Sequence, residues 1–122
     1  MNNEVRVLHA YTTDFPLPER IPWITEVCHS NEKEESRGID LIFLTDVGRI
    51  LLQLKSSRHE ARRFRDNQQE GRYSTKILVA VITARHTPRQ IRETVTPILA
   101  AERNRRLKLN RRYDNEHQQN GA

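Results

Sequence analysis

Two apolar runs, Ile39 to Thr45 and Ile50 to Leu54, stand on either side of Asp46-Val47-Gly48-Arg49. Runs of that length around a glycine-bearing tetrapeptide spell a β-hairpin. Ile, Leu and Phe occupy both faces of each run, so the strands call for helical cover above and below instead of one solvated face. Only 35% of the residues are hydrophobic and 30% are charged, so the apolar residues must be concentrated in a few segments such as these. At 122 residues the chain has room for one core, and therefore for one site.

The remaining elements follow from caps and periodicity. Lys76 to Thr83 is a β-branched run of the kind found in a central, often parallel, strand. Ser57 and Glu60 form a capping box that starts a helix at Arg58, running to about Gln68 before Gly71 stops it. Thr87-Pro88-Arg89-Gln90 opens another, with Ile91, Val95, Ile98 and Leu99 inward. Pro97 predicts a kink or a fresh start capped by Thr96, with the helix continuing to about Leu109 and residues 113–122 disordered. Towards the N-terminus, Val5 to Ala10 alternates weakly, as a short strand does. Phe15-Pro16-Leu17-Pro18 excludes regular structure. Ile21, Ile24, Val27 and Cys28 fall at helical spacing for a helix from Pro18 or Pro22 to about His29, and residues 31–38 read as a charged loop. The expected architecture is α/β, with the hairpin strands and the Lys76 strand in one mixed sheet flanked by helices.

Charge narrows the partners. The net charge is +5 with a pI near 9.9. Residues 1–54 carry a balance of −4 and residues 55–122 one of +9, so positive charge is segregated, which favours an anionic partner. Arg58, Arg62 and Arg65 lie at i, i+4 and i+7 of one helix, with Arg63 beside them, and such a stripe suits phosphates. The alternative is a solvated face partly paired with Glu60 and Asp66. Arg103, Arg105, Arg106, Lys108, Arg111 and Arg112 form a second basic cluster, read as sequence-independent phosphate contacts. The single Cys28 cannot form an internal disulfide, and no run approaches the ~18 apolar residues of a membrane span, so a cytoplasmic protein without membrane contact is expected. His9, His29, His59, His86 and His117 are at no metal-ligand spacing, and no Gly-rich phosphate loop is present.

Against the apolar hairpin, Asp40, Gln53 and Lys55 stand out. With an even-numbered loop, Val47-Gly48 or Asp46 to Arg49, opposed residues sum to 95, which sets Asp40 opposite Lys55 and puts Asp40, Gln53 and Lys55 on one sheet face. Charges at the ends of apolar strands cost stability unless they pair or bind something, so the residues alone leave two readings open: a structural Asp40–Lys55 ion pair, or a site.

Gly38-Ile39-Asp40, then a hairpin, then Gln53-Leu54-Lys55-Ser56 resembles the signature of the PD-(D/E)XK, or restriction-endonuclease-like, nuclease superfamily, over residues 19–83. The resemblance implies a restriction-endonuclease-like core within residues 1–112. It implies that Asp40 is the central metal-ligating carboxylate, Gln53 the second position of the acid-x-Lys motif, also a metal ligand, and Lys55 the catalytic lysine. Glu26 would be the carboxylate of the preceding helix, with Glu19, seven residues earlier on the same face, as its substitute. The cofactor implied is Mg²⁺ or Mn²⁺, which prefers hard oxygen ligands. The activity implied is hydrolysis of DNA phosphodiesters by an endonuclease, with Arg58, Arg62, Arg63, Arg65, Arg103 and Arg106 on the nucleic acid and a homodimer to cut both strands. Two departures from the family pattern are Gln53, where Asp or Glu is usual, and the lack of Pro before Asp40. Gln69-x-x-x-Tyr73 is similar to a motif of some exonuclease members, although Gly71 interrupts it. The rival functions are a noncatalytic DNA-binding or assembly module on the same fold, and a basic RNA-binding α/β domain.

Overall fold

The hairpin forms as its sequence requires, and the rest of the chain is laid against it. In a computed structural model, which describes residues 2–69 and 76–120, β2 (Leu41–Thr45) and β3 (Gly48–Lys55) pair antiparallel around Asp46-Val47. Gly48 takes φ +96°, a left-handed value costly for any residue with a Cβ. Thr45 Oγ1 locks the turn, donating to the Gly48 carbonyl (2.7 Å) and accepting from the Val47 N–H (3.1 Å). Leu41 lies opposite Leu52, so the register is displaced by two residues from the expected one, and a shift of two leaves every side chain on its expected face.

β1 (Ile24–His29) adds antiparallel to the free edge of β2, and β4 (Leu78–Val81) adds parallel to β3, giving a mixed sheet in the order β1-β2-β3-β4. Helix α3 (Arg58–Gln69) is the crossover from β3 to β4. The Lys76 run thus becomes an edge strand among the described residues instead of a central one. Helices cover both faces. Leu41, Phe43, Ile50, Leu52, Leu54, Ala80 and Ile82 pack on Val7 and Ala10 of α1 (Asn3–Ala10), on Tyr11, and on Ile91, Val95 and Leu99 of α4 (Pro88–Asn120). Ile39, Ile42, Leu51, Ile77 and Val79 pack on Ala61 and Phe64 of α3. Among the described residues no helix is long and apolar enough to cross a membrane.

Two N-terminal expectations exchange places. Residues 3–10 are a helix and not a strand: the Asn2 side chain caps it, accepting from the Val5 N–H at 2.9 Å, and Val7, Ala10 and Tyr11 are its buried stripe. Residues 24–29 are a strand and not a helix. The open edge of β2 offers them a ladder, and tertiary pairing outweighs a helical spacing of four apolar residues. Only Val27 of β1 is fully buried, as suits an edge strand. Within the expected loop, Asn31 and Glu34 form a reciprocal capping box on a short helix, α2 (Glu32–Ser36).

The expected boxes at Ser57 and Thr87 are present. Ser57 Oγ accepts from the Glu60 N–H at 3.2 Å, and Thr87 and Gln90 cap each other. Helix α4 continues through Pro97 to Asn120, so no restart at Thr96 is found and the helix runs past the expected end near Leu109. One lost backbone bond at Pro97 is outweighed by Ile91, Val95 and Leu99 anchoring the helix on the sheet. The expected stop at Gly71 and the Gln69-x-x-x-Tyr73 pattern fall largely on residues 70–75, outside the described residues.

α4 is clamped by ions. The buried Glu102 carboxylate receives Arg105 in a two-bond fork (2.7 and 2.8 Å), with Lys76 at 3.4 Å and Arg106 at 3.3 Å. The Arg105 fork pulls its pKa down to about 2 from an ordinary 4.5. A folded pKa below the unfolded one gives stability that is present above the unfolded value and lost as pH falls through the folded one. Because Arg105 and Lys76 are half-exposed, we expect about 2 kcal/mol from the cluster at neutral pH. Acid titration followed by circular dichroism should show wild type losing stability between pH 4.5 and about 2, while Glu102→Gln melts lower at pH 7 and lacks that component.

Candidate functional site

The site lies where β2 begins and β3 ends. Asp40 immediately precedes β2, its N–H donating to the Leu52 carbonyl at 2.9 Å, and its Oδ2 accepts from the Leu54 N–H at 2.7 Å. This fixes one carboxylate oxygen. The ladder ends at Leu41 opposite Leu52, so Asp40 stands just outside it and is not paired with Lys55 as expected; Gln53 and Lys55 are two apart in β3 and share its face. Gln53 and Lys55 lie on the α3 side of the sheet, and the charge of Lys55 reaches Asp40 from there. Lys55 Nζ rests 5.5 Å from the Phe64 ring centroid. Gln53 Oε1 is buried and has no hydrogen-bond partner. A buried acceptor left unpaired costs on the order of 1–3 kcal/mol, and such a group leaves a place for an ordered water or an ion.

Gly38 makes room for the Phe64 ring beside this amide. At φ +86° it passes so close to α3 that a Cβ would stand 2.8 Å from Phe64 Cε2 and 3.8 Å from Gln53 Oε1. Glycine is thus required both by conformation and by space.

The second carboxylate is Glu4, which the sequence reading missed. It sits in the first turn of α1, its carboxyl in hydrogen-bond contact with Asp40 and with Oε2 3.8 Å from His29 Nδ1. α1 is tied to the end of β4: Asn3 Nδ2 donates to the Ile82 carbonyl (3.1 Å), and Arg6 donates to the carbonyls of Thr83 (3.0 Å) and His86. The signal was available in Asn2, a capping residue two positions ahead of an acid, followed by the Val7, Ala10, Tyr11 spacing. Glu26, expected in this role, lies exposed in β1 opposite Leu44. That is four residues along β2 from Asp40, or ~13 Å. Glu19 ends a 3-10 turn, where its carbonyl accepts from Arg92. Neither stands on a helix, because a strand replaces the expected one.

Among the described residues no three His, Cys, Asp or Glu side chains form a metal-holding group. The oxygen donors at this corner are two carboxylates and an amide. Burial pushes the Asp40 carboxyl up, against the lowering effects of the Leu54 N–H, Glu4 and Lys55. Burial also raises Glu4, followed by the charges of Asp40 and Glu35, with His29 opposing. The pair holds protons more readily than free carboxyls do.

The basic stripe divides in two. Arg58, Arg62 and Arg65 line a groove of about 620 Å³ with Ala61, Val79 and Val81. Val81 is the β4 neighbour of Lys55, so this groove leads away from the Asp40–Lys55 corner. Arg63 is exposed on α3 outside the groove. Arg103 and Arg106, expected on nucleic acid, serve the hairpin instead. Arg103 forks onto Asp46 (2.9 and 2.7 Å), and Arg106 donates to the Val47 and Arg49 carbonyls (3.1 and 2.8 Å). The turn they hold is six residues along the strand from Asp40, ~20 Å away, so their donors are committed far from the site.

Comparison of the chain with protein families, with curated proteins and with solved structures found no match.

Both raised carboxyls make the metal-free fold bind more protons than the unfolded chain, so its stability falls as pH rises through their folded pKa values. Asp40→Asn keeps an acceptor for the Leu54 N–H and removes one charge of the pair. In chelator, thermal melts should show it a few degrees more stable than wild type at pH 8, with the gap closing towards pH 4; a lower melting point at every pH would contradict this account.

Proposed function

We propose that this chain is a metal-dependent DNA endonuclease of the PD-(D/E)XK, restriction-endonuclease-like class. The observation that carries the reading is the convergence of Glu4, Asp40, Gln53 and Lys55 at one corner of the sheet, with the Gln53 Oε1 buried and unpartnered. Support also comes from element order. A helix carrying a Glu, an acidic residue opening one strand, a Gln-x-Lys ending the next, a helix and a further strand is the arrangement that the sequence resemblance implies.

The donor set fits Mg²⁺ or Mn²⁺: two carboxylates in contact, whose raised pKa values a cation would relieve, and an amide oxygen with a free lone pair. Glu4, Asp40 and Gln53 would hold the ion, which when bound supplies neutralisation of the phosphate and a lowered pKa for water. The chain's own groups do the rest. The Leu54 N–H orients Asp40, and the Phe64 ring supports the Lys55 ammonium beside it. From there Lys55 positions the attacking water and stabilises charge on the phosphorus centre. Arg58, Arg62 and Arg65 hold the flanking phosphates along their groove. Cleavage of both strands takes two copies of a chain with one such corner.

Incubation with duplex, single-stranded and branched DNA in Mg²⁺ or Mn²⁺, with a chelator control, tests this. Metal-dependent cutting should fall by at least about 100-fold in Asp40→Ala and in Lys55→Ala. DNA binding without cutting, indifferent to chelator, would make the chain a noncatalytic DNA-binding module; equal binding of structured RNA, unaffected by Asp40→Ala, would make it an RNA-binding domain.

A further inference from the structure

The outer edge of β4 is closed at both ends and open in the middle. The Ile82 N–H donates to the Lys55 carbonyl at 2.9 Å, which with the parallel register turns Ala80 and Ile82 towards β3 and the backbone of Ile77, Val79, Val81 and Thr83 outward. At one end the Gln68 carboxamide imitates a neighbouring strand, donating to the Ile77 carbonyl (2.6 Å) and accepting from the Ile77 N–H (2.8 Å). At the other, the Thr83 N–H donates to His86 Nδ1 (3.0 Å), and the Thr83 carbonyl accepts from Arg6. Between these caps the N–H and C=O groups of Val79 and Val81 have no partner among the described residues.

That window opens into the groove of about 620 Å³, whose walls differ. Arg58, Arg62 and Arg65 of α3 line one side, and Thr94 and Ile98 of α4 the other. A strand laid along β4 would send alternate side chains to each wall. We propose that this edge is a docking site for an extended peptide segment of a protein partner, with acidic and apolar residues in alternation, which adds to the sheet as a fifth strand. Its backbone pairs with Val79 and Val81, its carboxylates meet the three arginines, and its apolar side chains meet Ile98.

The chemistry favours this occupant over two others. A nucleic acid satisfies the arginines but offers no alternating backbone donors and acceptors to the strand edge. A second copy pairing β4 with β4 brings two arginine rims together, and like charges oppose it. The proposal does not depend on the nuclease reading, although a bound acidic strand would exclude DNA from the same arginines.

Fluorescence anisotropy of the full chain with labelled acetyl-Glu-Val-Glu-Val-Glu-Val-Glu-amide tests it, alongside two versions N-methylated on either alternate set of nitrogens. The peptide should bind saturably. One methylated set, whose N–H groups face β4, should lose at least about tenfold in affinity while the other binds normally, and Arg62→Glu should cost a similar factor. Absence of saturable binding, equal behaviour of the two methylated peptides, or indifference to Arg62→Glu would overturn the proposal. So would a dimer in sedimentation that the peptide fails to dissociate and whose contact protects the Val79 and Val81 amides from exchange.

Discussion

The bond from the Leu54 N–H to Asp40 Oδ2 is the contact on which the rest of the site depends. It joins the residue that opens β2 to the last turn-free stretch of β3, and the hairpin register supplies its geometry. With Leu41 opposite Leu52, Asp40 stands at the end of the ladder, and the two-residue periodicity of β3 puts Gln53 and Lys55 on one face beside it. A slip of one residue would turn Gln53 and Lys55 to the opposite face of the sheet. The register is secured at the far end by Gly48, Thr45 and the arginines of α4, so the second basic cluster maintains the site from ~20 Å away.

This corner opposes folding. Two carboxyls in contact, both partly desolvated, and a buried amide oxygen without a partner are each unfavourable in isolation. The surrounding structure compensates through two apolar layers, the Arg6 and Asn3 ties that hold α1 to β4, and the Glu102 cluster. Unfavourable polar groups held in place by an otherwise well-satisfied fold are the usual physical mark of a ligand site.

Much of this was legible in the sequence because local and tertiary preferences agreed there. The hairpin runs, the Ser57 and Thr87 boxes and the β-branched Lys76 strand each carry a signal that packing reinforces. The shared face of Gln53 and Lys55 survived an error in register because it follows from the two-residue period of β3 alone. Residues 3–10 and 24–29 were misread for one reason: short segments carry weak periodicity, and an open strand edge decides which of them becomes a strand. That misreading displaced the second carboxylate from Glu4 to Glu26. The role of Arg103 and Arg106 was illegible because their partners, Asp46 and the Val47 and Arg49 carbonyls, are brought to them only by the tertiary fold.

The central proposal is that Glu4, Asp40 and Gln53 together hold one divalent cation. Mn²⁺ titration followed by electron paramagnetic resonance, on wild type, Glu4→Gln and Glu26→Gln at pH 7.5, tests it most directly. The account predicts one site per chain, weakened about tenfold or more by Glu4→Gln and unchanged by Glu26→Gln. Equal affinity in all three proteins, or weakening by Glu26→Gln alone, would contradict it.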